Sequence, residues 1–502
     1  METRRYHPAI MLFGIAKAIR NWIVPLIIVT IFNNADNWWG TYAKYIVLAI
    51  MLLSIVSDIL TWFTEKYAAD EHAFHLYRGI FSKTSRTVPF EKIQNITKHT
   101  NLLHRLLGLT AIKFETGSKE KAVEFKVLTK EEASRLEQLT ITDSPEQADI
   151  GQRATSEEDD LIRDDTVSEQ TVSIAQERTV HFKPTKKELI KASFTSLSFL
   201  LVPPLLVSFV LKFDIFFDWS DVRQYLPLLK IWWISTLGLI GIIVVSLLFG
   251  MWRVLLKYSN YELASDEANI YIQTGLVSES FFSIRKDRVQ GIEISQPILH
   301  RLLGLAKVKL ISTGSLDISE DTEEINSLYP YFTLKQAQQL IAAILPEYEV
   351  EFSMHKLQQK VLFYRLLQPS FIWLAVTITM YFWRPEVFGY QISWWMVSII
   401  ALILIEGYRY LNFKHSGYLV SERFLQMKTG AFTTTLFVTK RNKMIEISKT
   451  QNPLQRWLGL ATIESINRAK PVLHNEMKDV PAREAERFYI WFHQRANDVR
   501  RQ

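Results

Sequence analysis

The chain has 502 residues, which is too long for a single hydrophobic core and predicts several domains. It contains no cysteine, and this excludes disulfide bonds, thiolate nucleophiles and cysteine-ligated metal sites. The net charge of +6 is modest, and we expect no nucleic-acid partner. The chain is rich in tryptophan, with 14 residues, and most of these flank or cap long apolar runs. Such an arrangement is typical of a membrane protein.

Six apolar runs predict membrane spans, and they come in three pairs. The predicted spans are residues 19–32, 45–63, 192–211, 229–249, 366–382 and 392–408. The first run is short and follows an amphipathic stretch, residues 9–20, that we expect to lie in the membrane interface. Each pair stands immediately before one copy of a repeated segment, so we expect six transmembrane helices in three hairpins.

Lysine and arginine lie mostly on one side of these spans, which sets their orientation. The connectors at residues 33–44, 212–228 and 383–391 carry few basic residues, whereas the N-terminal segment and the segments after each hairpin carry many. The bias predicts that both termini and every repeat lie in the cytoplasm. We expect no cleavable signal peptide, because no A-x-A-like site follows the first apolar run.

One phrase occurs three times with constant spacing. It reads QNITKHTNLLHRLLGL from residue 94, QGIEISQPILHRLLGL from residue 290 and IEISKTQNPLQRWLGL from residue 445. In each copy a glycine lies 29 residues before the glycine of the LGL. The glycine pairs are Gly79 and Gly108, Gly275 and Gly304, and Gly430 and Gly459; the repeated arginines are Arg105, Arg301 and Arg456. Agreement over almost 40 residues without a gap predicts one structural module used three times.

Each module is expected to be a set of short strands closed by a terminal helix. Strands are predicted at residues 268–275, 281–284, 289–294 and 306–312, and at residues 424–430, 436–438 and 461–466. The repeated phrase predicts a single helical turn that ends at its glycine. The starts of the terminal helices are marked by Thr129 with Glu132, Thr333 with Gln336, and Pro481. This pattern favours an α+β fold in which each hairpin is followed by a small β-barrel or sandwich capped by a helix.

The spacing also divides the chain into domains. They are the N-terminal segment with the first hairpin (1–65), the first module (66–140), a linker (141–180), the second hairpin (181–256), the second module (257–347), the third hairpin (348–411) and the third module (412–502). The linker is acidic and poor in aromatic residues, so we expect it to be disordered. We interpret the linker as a tolerated insertion. The alternative is that it is an autoinhibitory arm that covers the basic surfaces of the modules.

The repeated pattern, I/V-Q-x-I followed by Q-x-x-L-x-R-L-L-G-L-A-x-V after two spans, resembles the bacterial pleckstrin-homology (PH) domain of the second type. Three such units with six spans resemble the YdbT-like membrane proteins of Bacillus and relatives. The resemblance covers nearly the whole chain except the linker, and it implies membrane-tethered, cytoplasmic PH folds without a settled activity. It also suggests a homo- or hetero-oligomer or a smaller companion membrane protein with a single PH-like module. The third copy departs from the pattern, with Trp457 for leucine and Gln455 for His104 and His300.

The repeated arginine is the first candidate functional residue. Its planar guanidinium suits a lipid phosphate or a partner carboxylate, but a role in fixing the turn is favoured because it stands beside leucines and a glycine. His104 and His300 precede it and are expected on a solvated helix face, since no further metal ligands are suitably spaced.

Basic clusters next to the phrase are candidates for binding anionic lipid or a partner protein. They consist of Arg285, Lys286 and Arg288 in the second copy, and Lys440, Arg441 and Lys443 in the third. An equally weighted interpretation is that these residues only contribute to the excess of positive charge on the cytoplasmic side of the membrane and form no binding pocket.

Two acids lie within predicted spans. Asp58 stands near the inner end of the second span and is a functional candidate by position, while Glu406 is expected to pair with Arg409. These acids, with prolines in the first span of each pair, leave a transporter or export component as an alternative function.

Motifs for nucleotide, hydrolase and zinc-protease chemistry are missing from the sequence. We therefore expect a non-enzymatic bacterial inner-membrane protein with no catalytic site, metal or cofactor. Its modules are expected to bind anionic lipid or partner proteins, with protection of the envelope against membrane-active peptides as the suggested role. A purely structural assembly scaffold is a further alternative.

Overall fold

The computed structural model describes residues 3–32, 38–79, 83–116, 122–142, 178–195, 232–312, 327–383, 386–387, 390–391, 393–469 and 472–494. These residues form two compact units. The first contains residues 1–266 and 271–283, and the second contains residues 267–270 and 284–502.

The described helices alternate with groups of short strands, as the sequence predicts. The helices are α1 (Ile10–Phe32), α2 (Trp38–Thr64), α3 (Leu102–Leu106), α4 (Lys130–Thr142), α5 (Lys186–Thr195), α6 (Trp232–Tyr258), α7 (Ile298–Leu302), α8 (Leu334–Ile344), α9 (Gln359–Leu367), α10 (Phe371–Trp383), α11 (Trp394–His415), α12 (Pro453–Leu458) and α13 (Ala482–His493). The strands of the first unit's modules are β1 (Arg4–Arg5), β2 (Lys66–Ala69), β3 (Ala73–Arg78), β4 (Thr84–Pro89), β5 (Ile93–Thr100), β6 (Leu109–Thr116), β7 (Val123–Thr129), β8 (Thr179–Phe182), β9 (Glu262–Ser265), β10 (Asn269–Thr274) and β11 (Glu279–Arg285). The remaining strands are β12 (Val289–Gln296), β13 (Leu305–Ser312), β14 (Phe332–Thr333), β15 (His355–Lys356), β16 (Glu386–Val387), β17 (Tyr390–Gln391), β18 (Gly417–Val420), β19 (Phe424–Thr429), β20 (Thr434–Lys440), β21 (Met444–Thr450), β22 (Leu460–Asn467) and β23 (Leu473–Pro481).

The first module packs two groups of antiparallel strands and one helix around an aromatic core. Strands β1 to β4 form one sheet in that order, and β5, β6 and β7 are neighbours in another. Phe74, Phe114 and Phe125 are fully buried, and the Phe74 and Phe114 rings lie 4.8 Å apart. Helix α4 adds Ala133 and Leu136 to the same core. The alternation of apolar residues along β6 and β7 therefore buries one face of each strand, as the predicted sandwich requires.

The third module repeats this arrangement within the second unit. Strands β18, β19 and β20 lie side by side, and β21, β22 and β23 form a three-stranded sheet. Leu425, Ile463 and Met477 from these strands pack with Phe488 of α13 in one buried cluster. Helix α13 therefore closes the module, as predicted.

Strands of successive modules join into continuous sheets, an arrangement that the sequence analysis did not predict. One seven-stranded sheet has the order β7-β6-β5-β11-β10-β9-β8, and the other has the order β14-β13-β12-β20-β19-β18-β15. In the second of these, β12 pairs antiparallel with β20 from Ile292 opposite Val438 to Gln296 opposite Thr434. A strand of one module thus provides backbone hydrogen-bond partners for the last strand in the first group of strands of the next module.

The paired glycines explain the constant spacing of the repeat. Gly275 and Gly430 have φ values of 102° and 115°, and a Cβ at either would lie 1.9 Å from a carbonyl oxygen three residues later. The second glycine of each pair, including Gly459 with φ 65°, adopts the left-handed conformation that ends a helical turn. The positive φ values at both positions, and the close carbonyl oxygen at Gly275 and Gly430, disfavour a side chain, which accounts for glycine at both positions of every copy.

Within the part of the chain that the structure describes, four helices are long and apolar enough to cross a membrane: residues 42–64, 236–258, 359–383 and 394–415. They correspond to four of the six predicted spans. The first predicted span lies in α1, and most of the third predicted span lies outside the described residues, as does most of the predicted linker. The linker prediction is too wide at both ends, because α4 continues to Thr142 and β8 begins at Thr179.

Two predictions about the membrane segments need correction. The amphipathic stretch at residues 9–20 is continuous with α1, and it packs on the first module: Ala9 is buried and the Phe13 ring lies 4.0 Å from the His104 ring. In the third hairpin, the apolar helix is broken at residues 368–370, and α9 before the break contributes Val361 and Tyr364 to the core of the third module. Pro369 accounts for the break, since it cannot continue the hydrogen bonding of α9.

Of the three predicted helix starts, one forms the complete capping box and two differ. At α8, Thr333 and Gln336 make both bonds of a capping box. At α4, the Glu132 backbone NH donates to the Thr129 side chain. The Glu132 carboxylate, however, accepts from Arg4 of β1 at 2.9 Å and does not complete the capping box. Pro481 lies one residue before α13.

A buried ion pair holds the third module together. Arg365 of α9 donates to the Asp479 carboxylate at 2.8 Å and to the Asn412 side chain of α11 at 2.8 Å. Asp479, at φ 65°, also accepts from Gln455 of α12 at 2.8 Å. One carboxylate thereby connects the helix before the membrane segment with the repeated turn.

Replacing Arg365 with methionine should destabilise the full chain by about 3–5 kcal/mol, because Asp479 would be left buried without its counter-charge. Thermal or denaturant unfolding of the detergent-solubilised protein measures this. Arg487→Ala is the matched control: its pair with Glu484 is exposed and should contribute less than about 1 kcal/mol. Equal effects of the two substitutions would contradict the assignment.

Candidate functional site

The repeated arginine of the first copy binds the beginning of the second module. The Arg105 guanidinium donates to the Leu276 carbonyl at 2.7 Å, one residue after Gly275, and lies 3.6 Å from the Glu279 carboxylate. The Leu276 NH donates at 3.0 Å to the carbonyl of Leu256, in the last turn of α6. A cation at the C-terminal end of a helix is favoured by the partial negative charge there.

The second copy uses Arg301 in the same way within the second unit. Its guanidinium donates to the Ala431 carbonyl at 3.3 Å, one residue after Gly430, and approaches Nδ1 of His415, the last residue of α11, at 3.3 Å. Burial and the nearby charge of Arg301 lower the pKa of Lys428. The arginine therefore makes equivalent contacts in the first two copies. In each, the repeated turn of one module lies against the end of the membrane helix that precedes the next module.

The third copy has no following module, and its arginine differs accordingly. Within the described part of the chain, the Arg456 side chain makes no hydrogen bond or ion pair. The α12 turn that carries it is nevertheless built like the others, with a capping box between Asn452 and Gln455 and a left-handed Gly459.

Each turn exposes a large apolar side chain at one equivalent position, directly after the arginine. Leu106 is 75% exposed, Leu302 is 77% exposed and Trp457 is 82% exposed. Leu103 and Leu454, three residues earlier in the first and third copies, are also exposed. The sequence analysis named these leucines only as neighbours of the arginine and Trp457 only as a departure from the pattern; the signal it missed is that a large apolar residue follows the arginine in all three copies.

The prediction that His104 and His300 lie on a solvated face is wrong, because both side chains are buried. His104 bonds through Nε2 to the Lys126 carbonyl at 3.0 Å, and the His300 ring lies 5.4 Å from the Tyr331 ring. Burial lowers the pKa of both histidines, and the charge of Lys307 lowers that of His300 further. Gln455 fills the equivalent position as a buried neutral side chain that donates to Thr462.

The two basic clusters come together at one surface of the second unit, which we call the basic surface. Lys443 donates to the Asp287 carbonyl at 2.7 Å, and this contact joins the turn at Lys286–Arg288 to the turn at Arg441–Lys443. Burial and, after it, the charge of Lys440 lower the pKa of Lys443.

Several of these cations already have partners. Arg285 makes a bidentate contact of 3.1 Å with Asp287, Lys440 pairs with Glu347, and Arg441 donates to the Trp491 carbonyl at 3.2 Å. Strand β20 separates the basic surface from the end of α11 by about 20 Å. The repeated turns are thus adjacent to the membrane helices, and the basic surface is not.

The intramembrane acids show no shared site. Glu406 pairs with Arg409 at 2.7 Å, which confirms that prediction. Asp58 faces α1, where its Cβ would lie 3.0 Å from a Cβ placed at Gly14. Among the described residues, no group of three or more histidines and acids could hold a metal ion.

Comparisons with known proteins agree on one family. The family model described as "Bacterial PH domain" matches residues 13–141, 207–348 and 370–496. The curated "UPF0699 transmembrane protein YdbT" of Bacillus subtilis (strain 168) is 22% identical over 502 residues, covering 98% of each chain. Neither description designates an enzyme. No solved structure matches the chain.

The buried histidines predict a specific pH dependence of stability. Their pKa values are lower in the folded protein than the unfolded value of about 6.5, so below that pH the unfolded chain binds more protons than the folded chain. Stability contributed by the neutral rings is therefore present above about pH 6.5 and lost as the pH falls.

Replacing both histidines with glutamine, as the third copy has at Gln455, should reduce the loss of thermal stability between pH 7 and pH 5. The full chain in detergent is compared with the double variant His104→Gln/His300→Gln. If the two proteins lose the same thermal stability between pH 7 and pH 5, the histidines do not bind protons on unfolding.

Proposed function

Because the chain belongs to the bacterial PH-domain family, we propose that it is a non-enzymatic scaffold of the bacterial inner membrane whose repeated turns seat three cytoplasmic modules on the lipid surface. In this proposal the chain crosses the membrane six times in three hairpins. The observation that carries it is the exposed apolar side chain at one position of each turn, at Leu106, Leu302 and Trp457. Large exposed apolar groups that recur in every module indicate a surface that is covered in the cell.

The position of the turns supports lipid as the covering surface. Arg105 and Arg301 lie at the C-terminal ends of α6 and α11, two helices able to cross a membrane. In this proposal their neighbours Leu106 and Leu302 lie at the level where those helices leave the bilayer. Phe432, which is half exposed and lies 6.0 Å from the Tyr408 ring of α11, extends the same apolar surface.

The energies are sufficient for modules that are already tethered. Burying one leucine-sized side chain contributes about 1.5–3 kcal/mol, and a basic residue near an anionic surface contributes about 1 kcal/mol. Tethering by the membrane helices turns each contact into an intramolecular one, so weak individual contacts act together.

Of the two roles expected for the basic surface, binding of anionic lipid or of a partner protein, we propose the second. Its distance from the end of α11 favours an acidic protein partner over the headgroups of the same membrane. Lys286 and Lys443 supply the positive charge for such a partner, since Arg285, Arg288 and Lys440 already have acidic partners.

Single cysteines can test the seating, because the native chain has none. Nitroxide labels at Leu106→Cys and Leu302→Cys, in protein reconstituted into phosphatidylglycerol-containing vesicles, should be more accessible to lipid-dissolved oxygen than to a water-soluble nickel chelate. A label at Lys286→Cys on the basic surface is the control and should show the reverse preference.

Water accessibility at residue 302 equal to that at residue 286 would contradict the seating. If the labels lie at equal depth in neutral and anionic vesicles at low salt, anionic lipid does not contribute to the seating and only the apolar contact remains.

We place the physiological role in protection of the envelope, since modules lying on the cytoplasmic leaflet would oppose its disruption by membrane-active peptides. Cells lacking the protein should be inhibited by lower concentrations of cationic membrane-active peptides. Restoration by the wild-type chain but not by Leu106→Ser/Leu302→Ser/Trp457→Ser, expressed at the same level, is the expected result. Unchanged sensitivity of cells lacking the chain would contradict the role.

A further inference from the structure

The first two repeated arginines each bind the next module, but they have different neighbours. At the first junction, where Arg105 meets the second module, its guanidinium lies 3.6 Å from the Glu279 carboxylate. At the second junction, where Arg301 meets the third module, the guanidinium instead contacts Nδ1 of His415 at 3.3 Å. Because arginine has donors and no acceptor, this hydrogen bond requires that Nδ1 carry no proton. The second junction is therefore formed around a neutral histidine at the end of α11.

Three equivalent positions change the charge of the second junction. They are equivalent when counted from Gly275 of the second module and Gly430 of the third. The pairs are Glu279 and Thr434, Asn260 and His415, and Gln273 and Lys428. Relative to the first junction, the second therefore has one acid fewer, one lysine more and one histidine more.

Positive charges surround His415 from three elements. Arg301 belongs to α7, Lys428 to β19 and Lys414 to α11 itself, and all three act on the His415 ring. His415, Arg301 and Lys428 are each half-buried, so water and salt screen them less than they would screen charges in solution. A protonated ring would be a fourth positive charge in this group, in direct contact with one of the others.

Other groups near the ring do not compensate for this charge. A hydrogen bond with the Gly430 backbone favours a charged ring, whereas the three cations oppose one. The contact with Arg301 decides between them, because protonation of Nδ1 also removes the acceptor that Arg301 uses. Strand β15 pairs with the strand that follows α11 and carries His355 and Lys356, which are both exposed. The His355 ring lies 6.1 Å from the Tyr418 ring.

We propose that protonation of His415 loosens the junction between the second and third modules, so that this junction responds to pH and the first does not. In the open form His415 is an ordinary histidine with a pKa of about 6.5. Since the proton binds when Arg301 has moved away, acid favours the open form, and the closed junction is stable above about pH 6.5 and weakened below it. The proposal does not depend on the seating of the turns on lipid.

The size of the effect follows from one proton. For a single group that binds its proton only in the open form, the ratio of open to closed junctions rises about tenfold between pH 7.5 and pH 5.5.

Hydrogen exchange of the full chain in detergent, measured by mass spectrometry, tests the switch. Peptides covering residues 429–437 report on the second junction, and peptides covering residues 274–282 report on the first. After correction for the intrinsic pH dependence of exchange, protection of residues 429–437 should fall up to about tenfold between pH 7.5 and pH 5.5. Protection of residues 274–282 should remain constant.

Substitutions at His415 separate its charge from its other contacts. His415→Asn introduces the residue type of Asn260 and should abolish the loss of protection at pH 5.5. His415→Lys carries a permanent charge and should have, already at pH 7.5, the low protection that the unmodified chain reaches at pH 5.5. His355→Asn removes an exposed histidine of the same module and is the matched control, with the pH dependence of the unmodified chain.

A loss of protection that persists in His415→Asn would overturn the proposal and assign the effect to another group. The first such group is His300, which precedes Arg301 and whose ring lies 5.4 Å from the Tyr331 ring. Constant protection of residues 429–437 in the unmodified chain, an equal loss at both junctions, or full protection of His415→Lys at pH 7.5 would overturn it as well.

Discussion

The structure depends on strand pairing between consecutive modules. A sheet edge presents unpaired NH and carbonyl groups, and a small sandwich standing alone has several such edges. Here the strand before each repeated turn supplies hydrogen bonds to the following module, through β5 and β11 in the first unit and through β12 and β20 in the second. Repetition of the module thus covers edges that a single copy would expose, and this explains why the copies keep their spacing so strictly.

The repeated turn connects this pairing to the membrane helices. Its arginine binds a carbonyl one residue after the glycine turn of the next module, beside the end of α6 in one case and of α11 in the other. Its glycine ends the helical turn in a left-handed conformation, and the residue after the arginine remains exposed. A single short segment therefore sets the junction between modules and presents an apolar group where the membrane helices end.

One buried position of the repeated turn is occupied by histidine in two copies and by glutamine in the third. His104 and His300 are buried and held neutral by desolvation in the first two copies. In the third copy Gln455 takes the position and binds Asp479, which is neutralised by Arg365. The third module thereby has a buried ion pair that connects α9 to the repeated turn.

The sequence by itself determined the module, its three copies, most of its strands and the four helices that are long enough to span a membrane. These follow from local properties: the alternation of β13 and β22, the backbone demands of Gly275 and Gly430, and the length of the apolar runs. It did not determine where the modules meet. The pairing of β12 with β20, the contact of Arg301 with Ala431, and the convergence of two basic turns at Lys443 join residues more than 100 positions apart. Periodicity carries no information about such pairs, and the burial of His104 was missed for the same reason: only the tertiary structure places α1 against the turn that contains it.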